Sequence, residues 1–366
     1  MVDLSSPVTI QSVDLLCAGE RYFVRATSTD GAVGMAVANE RVRYLYPILQ
    51  QLVAPYFLGK DARDLDALVD GVYVYRSNYK LAGLALWCCV GWVEFALLDL
   101  LGRVADKPVA ALLGGVRRRE IPVYLSSMRR DTTPEAEVEI LEQRLAETGA
   151  RAVKLKIGGR MSRNADASPG RSERLVKLAR ERFGSAVTLY VDANGSYDAP
   201  TAIAVGRMLA DYGVAFFEEP CPFDEWEETR RVADALELAV AGGEQETSFC
   251  RFAWAIRNRA VDVVQPDLNY NGGFTRTLRV ARLAHQNGLP TTPHSARLGA
   301  DPIYMLHYAA CAPNPGAFQE YNAAPQPPQT WFSPSLQVRN GVLVLPDGPG
   351  FGLSFDPVLV EKAVPL

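Results

Sequence analysis

Three carboxylates recur at equal intervals along this 366-residue chain, each ending a short apolar run. Asp192 closes VTLYVDANG, Glu218 closes VAFFEEP and Glu244 closes LAVAGGE, with 26 residues from each to the next. That interval holds one strand and one helix, which places all three at adjacent strand ends of a parallel barrel. Acidic groups converging there repel one another unless a positive charge lies between them. A hard divalent cation with oxygen ligands meets that need, Mg2+ first and Mn2+ as a substitute.

The other strand ends add reactive groups. In chain order they are Lys154 and Lys156, Asp192 and Asn194, Glu218, Glu244, Asp267, His294 and Glu320. Lysines at i and i+2 share one face of a strand. Beside a cation an ammonium is disfavoured, which suits Lys156 to act as a base. Asp267 and His294 lie 27 residues apart, one barrel unit. A carboxylate holding an imidazole fixes its tautomer and raises its basicity. A metal with a lysine on one side and a His–Asp pair on the other suits removal of the weakly acidic proton next to a carboxylate. Positive charge stabilises the enediolate that forms. Two bases on opposite faces can remove and return that proton, or one removes it while the other expels a β-hydroxyl.

These groups need a scaffold that presents strand ends to one pocket. From Ile121 the chain alternates strand and helix, with strands expected at IPVYLSS, AVKLKIG, VTLYVDANG, AFFEEP, LAVAGGE, DVVQPD, PTTPHS and AFQEY. The pattern predicts an α/β fold, a (β/α)8-type barrel over residues 121–337. Residues 1–120 read as an α+β capping domain. Strands are expected in VTIQSVDLL, RYFVRATS and AVGMAV, then helices from Arg41 to Leu113. Residues 338–366 are expected to return to the capping domain.

Composition narrows the functional classes. A net charge of −4 gives no electrostatic case for nucleic acid or an anionic membrane. The longest uncharged apolar run, Leu81 to Val93, is too short to span a bilayer, and the N-terminus lacks a basic stretch before an apolar one. A cytoplasmic location is expected. The six cysteines show no metal or disulfide spacing and read as free thiols. His285, His307, Glu94 and Asp99 read as structural, the two acids either solvated or paired. Trp331, beside the Pro-rich AAPQPPQ, reads equally as pocket rim or surface loop.

The Lys-X-Lys of VKLKIGG, then VDANG, FFEEP, GGE, QPD and PHS, closely resemble the enolase superfamily, mandelate racemase subgroup, of the acid-sugar dehydratase type. EFALLDLLGRVADKPVAALLGG and VLPDGPGFGL extend the resemblance over nearly the whole chain. It implies Asp192, Glu218 and Glu244 as Mg2+ ligands, with Glu219 behind them. It implies Lys156 and His294 as the two acid/base groups, with Asp267 as partner of His294. Lys154 would assist the substrate carboxylate, and Glu320 would donate a hydrogen bond to the enolate. The implied activity is that of a lyase in carbohydrate acid catabolism. It abstracts the proton α to a carboxylate, then eliminates water from a sugar acid to give a 2-keto-3-deoxy acid. The alternative is a racemase, epimerase or lactone cycloisomerase, and more remotely a non-catalytic binding protein. A small carboxylate substrate and a homo-oligomer are expected. The loop that closes over substrate in the family is reduced here to Cys17–Glu20. Specificity is therefore expected from Arg76–Lys80, from the polar loop Arg160–Arg171 or from a neighbouring subunit.

Overall fold

The computed structural model describes residues 4–327 and 329–366. Three antiparallel strands open the fold: β1 (Ile10–Ala18), β2 (Arg21–Ser28) and β3 (Val33–Ala38). The helix Leu84–Val104 lies against this sheet. Their approach is close enough that a Cβ on Gly34 of β3 would sit 2.2 Å from the Leu100 nitrogen. This helix is apolar on nearly every face, with the length and hydropathy to cross a bilayer. Here it is a core helix, buried between the sheet and the barrel, which explains an apolar surface all round.

Glu94 and Asp99 on that helix are both buried. Asp99 accepts from the N–H groups of Met35 (2.9 Å) and Phe351 (2.8 Å) and pairs with Arg103 (2.7 Å). Glu94 accepts from the N–H groups of Phe274 and Thr275, which open the helix Phe274–Gln286. The residue before that helix is Gly273, which has no side chain to cap it. A Cβ there would lie 1.7 Å from a Glu94 oxygen, so the glycine makes room for a cap supplied from a distant helix. Of the two readings for these acids, paired is correct and solvated is not.

The barrel strands run β4 (Glu120–Ser126), β5 (Ala152–Lys156), β6 (Thr188–Asp192), β7 (Phe216–Glu218), β8 (Ala239–Gly242) and β9 (Val263–Val264), all parallel. β10 (Gln319–Asn322) pairs parallel with β4. The seventh position, expected as PTTPHS, is reduced to isolated bridges: Val264 to Thr291, Asp267 to His294 and Thr291 to Pro315. Pro290 and Pro293 flank Thr291 and Thr292 and lack the N–H groups a ladder needs.

Two layers fill the barrel. Tyr124, Ala152, Tyr190, Phe216 and Ala241 form an apolar plug, with Tyr190 and Phe216 stacked at 3.8 Å. Two residues further along the same strands stand Lys154, Asp192 and Glu218. Period-two alternation thus sets a charged layer directly on an aromatic one. Lys154 Nζ lies 5.4 Å above the Tyr124 ring.

The last segment adds one strand to each of the two sheets and forms a small two-stranded sheet of its own. β11 (Phe332–Ser333) pairs with β13 (Ser354–Phe355), β12 (Val342–Val344) runs antiparallel to β4, and β14 (Val364–Pro365) pairs with β1. Trp331 stacks on Phe355 and meets the edge of Phe23 on β2, so it belongs to an aromatic cluster over the capping sheet.

Candidate active site

The register Lys156–Asp192–Glu218 across β5, β6 and β7 sets these three side chains level. One oxygen each from Asp192, Glu218 and Glu244 lies within 4.8 Å of the others, and all three residues are buried. Asp192 accepts from its neighbour Asn194 N–H at 2.7 Å and contacts Lys156 Nζ. Glu218 accepts from Lys154 at 2.6 Å and from Gln265 at 2.7 Å. Glu244 accepts from Gln245 at 2.9 Å through one oxygen. Its other oxygen is buried with no hydrogen-bond partner among the described residues, 3.4 Å from His294 Nε2.

Burial drives the carboxyls of Asp192, Glu218 and Glu219 toward the neutral form. Asp192 is nevertheless held low, because Lys156 and Lys154 outweigh its burial. Glu218 moves the other way, pushed up by burial and then by Asp192 and Glu320, against the pull of Lys154. Glu219 is raised by burial and by Glu244 and Asp192. The cluster holds more negative charge than its lysines neutralise. Three convergent carboxylates with an orphaned oxygen form a donor set that fits a hard divalent cation.

On one flank Lys154 is fully buried between Glu218 and Glu320, at 2.6 and 2.8 Å. Burial alone would lower its pKa, but these two acids raise it well above the usual lysine value. Lys156 Nζ lies 3.3 Å from Asn194 Oδ1, which also accepts from Arg130 at 2.9 Å. Arg130 donates further to the carbonyls of Ile157 and Gly158, fixing the backbone just after Lys156. Asn194 sits at φ 43°, a left-handed conformation that asparagine tolerates.

On the other flank His294 Nδ1 lies 2.7 Å from Asp267 Oδ2. An ionised carboxylate only accepts, so Nδ1 carries a proton and Nε2 faces the carboxylate cluster. Asp267 Oδ1 accepts from the N–H groups of Asn269 (2.7 Å) and Tyr270 (3.0 Å). Burial lowers the His294 pKa, but Glu244, Glu320 and Asp267 together raise it to about 9. A cation among the carboxylates would cancel part of that rise.

Glu320 accepts from the Ser295 N–H at 2.7 Å through one oxygen and meets Lys154 through the other. Although buried, it is held far below the usual carboxylate range by Lys154 and His294. Its Oε1 lies 2.8 Å from Lys154 Nζ but has no hydrogen-bond partner among the described residues.

The structure thus brings Lys154, Lys156, Asp192, Glu218, Glu244, Asp267, His294 and Glu320 into one layer. His307 is elsewhere: it accepts from the Ala110 N–H and donates to the Phe351 carbonyl, with its pKa lowered to about 4 by burial. His285 is exposed at a helix end. The loop Arg160–Arg171 packs along the end of β6, its Met161 and Asn164 N–H groups bound to the carbonyls of Asn194 and Ser196. In the turn around Arg76–Lys80, Asn78 is buried and donates to the carbonyls of Leu52 and Val72. Three contributors escaped the sequence reading. Gln265 lay inside QPD but carries no charge. Arg130, and Arg297, which donates to Asp267 Oδ2 at 3.0 Å, sit among many arginines with no distinguishing spacing.

A parallel barrel with charged strand ends, bordered by an α+β domain, defines a barrel enzyme of two-domain construction. Residues 12–114 match the family described as mandelate racemase / muconate lactonizing enzyme, N-terminal domain, and residues 136–359 match enolase C-terminal domain-like. The chain belongs to the mandelate racemase / muconate lactonizing enzyme family of the enolase superfamily. Among its relatives is arabinonate dehydratase of Saccharolobus solfataricus, 32% identical over 86% of this chain and 82% of that one. D-galactarolactone cycloisomerase of Agrobacterium fabrum is 29% identical over 92% and 89%. A solved structure from Roseobacter denitrificans superposes with a TM-score of 0.91 at 36% identity, covering 97% and 98% of the two chains. A mandelate racemase/muconate lactonizing protein from Paracoccus denitrificans, solved with magnesium, gives a TM-score of 0.87 at 26% identity over 98% and 99%.

Proposed function

We propose that this chain dehydrates a sugar acid in a Mg2+-dependent reaction. The observation that carries this reading is the arrangement of two proton-transfer groups around one carboxylate cluster: Lys156 against Asp192, and His294 Nε2 against Glu244. Relatives named as arabinonate, L-rhamnonate and L-talarate/galactarate dehydratases support the substrate class.

Asp192, Glu218 and Glu244 would hold the ion. Bound there, Mg2+ supplies a Lewis acid for the substrate carboxylate and for the charge of the enediolate. Lys154, fixed between Glu218 and Glu320, assists in binding the substrate carboxylate. Lys156 takes the proton from the α-carbon. His294, whose Nδ1 is held by Asp267, acts in its protonated form and gives its Nε2 proton to the departing β-hydroxyl, which leaves as water. Asp267 keeps the ring oriented and stabilises its charge. The enol then becomes the 2-keto-3-deoxy acid. Isomerisation of a hydroxy acid or lactone is the second reading, supported by the galactarolactone cycloisomerase relative.

The test is a screen of aldonic and aldaric acids with Mg2+, followed for 2-keto product and for deuterium uptake at the α-carbon. Keto product supports dehydration. Deuterium uptake without keto product moves the reading to isomerisation. A chain that takes up neither label nor metal is a binding protein.

A further inference from the structure

The His294–Asp267 pair has a third member. Asp267 Oδ2 is shared: His294 Nδ1 reaches it at 2.7 Å and Arg297 Nη2 at 3.0 Å. Arg297 also faces Asp301, 3.7 Å from its other terminal nitrogen. The four side chains alternate in charge, with the arginine seated between two carboxylates that are each less than a tenth exposed. Without it, Asp267 and Asp301 would be buried near each other with no cation between them, an unfavourable arrangement.

The guanidinium is itself fixed. It lies 4.8 Å from the centre of the Tyr270 ring, and Arg41, carried just after β3, lies 5.0 Å from the same ring. Arg41 Nε donates to the Tyr270 hydroxyl at 3.0 Å. Nearby, Trp92 of the helix Leu84–Val104 donates to Asn269 Oδ1 at 3.0 Å, and the Asn269 N–H holds Asp267. The segment carrying Asp267 is therefore gripped twice from outside the barrel. Arg297 joins that grip to the oxygen that His294 uses.

We propose that Arg297 is a positioning residue, which holds Asp267 in the orientation that keeps a proton on His294 Nδ1 and aims Nε2 at the carboxylate cluster. This rests on the reading of His294 as an acid/base group, but its test does not need the substrate. The chain has three histidines, so nitrogen-15 labelling of histidine gives a spectrum in which each ring is resolved. His307 is a built-in control. Its Nδ1 accepts from a backbone N–H, so its proton sits on Nε2, whereas the hydrogen-bonded proton of His294 sits on Nδ1.

The experiment compares the Mg2+-loaded wild type with Arg297→Met and Arg297→Lys. In the wild type, His294 is expected to show a slowly exchanging, strongly downfield Nδ1 proton. Arg297→Met is expected to lose it or broaden it beyond detection, while the His307 pattern stays as it was. Arg297→Lys, which keeps one charged donor, is expected to restore it. A His294 signal unchanged in Arg297→Met, with its exchange rate within twofold of wild type, overturns the proposal. Should Arg297→Met lose the His307 pattern as well, and so fail to fold, Arg297→Gln decides by the same criterion. Failure of the proposed reaction would appear separately, as absence of keto product in a protein whose His294 signal is intact.

Discussion

The two flanks of the carboxylate cluster are built differently. Lys154, Lys156, Asp192 and Glu218 stand on regular strands in direct register, and Arg130 and Asn194, which support them, also belong to the barrel. Asp267 and His294 stand where the ladder has thinned to single bridges. That flank relies on contacts from the first third of the chain: Arg41 on Tyr270, Trp92 on Asn269 and Glu94 on the helix Phe274–Gln286. A strand end is positioned by many cooperative backbone bonds, whereas a loop needs side chains to hold it. The lysine flank should therefore tolerate loosening between the domains, and the histidine flank should not.

The largest expected effects come from the cluster itself, which both flanks share. Asp192→Asn, Glu218→Gln and Glu244→Gln should each weaken Mg2+ binding, read by calorimetry, and lower turnover by about a thousandfold or more, roughly 4 kcal/mol. Unchanged metal affinity in all three variants sinks the metal assignment. Lys156→Ala and His294→Asn should match that loss of turnover while leaving Mg2+ affinity as it was. His294→Asn alone should still exchange the α-proton with deuterated solvent, because Lys156 remains. If Lys156→Ala exchanges and His294→Asn does not, the two roles are reversed.

A smaller loss is expected from Asp267→Asn. The amide can present a donor where the imidazole needs an acceptor, and it removes a charge that raises the His294 pKa. Turnover should fall by about two orders of magnitude, roughly 3 kcal/mol, and the histidine limb of the pH–rate profile should move to lower pH. Near-normal turnover with an unmoved limb would leave Asp267 a structural residue. Trp92→Phe sharpens the comparison further. It deletes one inter-segment hydrogen bond, worth about 1 kcal/mol, and should slow steps that use His294 while leaving Lys156-dependent exchange at the wild-type rate. Equal slowing of both would mean that the flanks are not independent.

The smallest effect concerns stability. Burial raises the Glu94 pKa to about 7, against the hydrogen bonds from Thr275 and Phe274. A carboxyl whose pKa is higher in the folded chain binds more protons folded than unfolded, so its contribution is complete below its ordinary value near 4.5 and is lost as pH rises through 7. Urea unfolding of the wild type should show stability falling across that window. Glu94→Gln, which cannot titrate, should show a shallower slope there. Parallel slopes for the two proteins would show that Glu94 does not titrate in this range.

Much of the site was legible before the fold. The interval that separates Asp192, Glu218 and Glu244 is a property of the repeating unit, and a repeat is read along the chain. The aromatic layer beneath the charges follows from the same alternation that marks the strands. The reading was less complete where proline interrupts the pattern: PTTPHS looked like a strand because its termini fit the repeat, but two missing N–H groups leave only bridges. Glu94 could be read only as solvated or paired, since its partner Phe274 is 180 residues away.

The sequence alone therefore determined which residue types stand at the strand ends and in what order, because strand period and repeat length are local and survive without the fold. Only the tertiary structure decided which uncharged and cationic side chains serve them. Gln265 on Glu218, Arg130 on Asn194 and Arg297 on Asp267 are hydrogen bonds between separate segments. A hydrogen bond depends on distance and angle, which no spacing in the chain encodes until the barrel closes and the capping helix is seated against it.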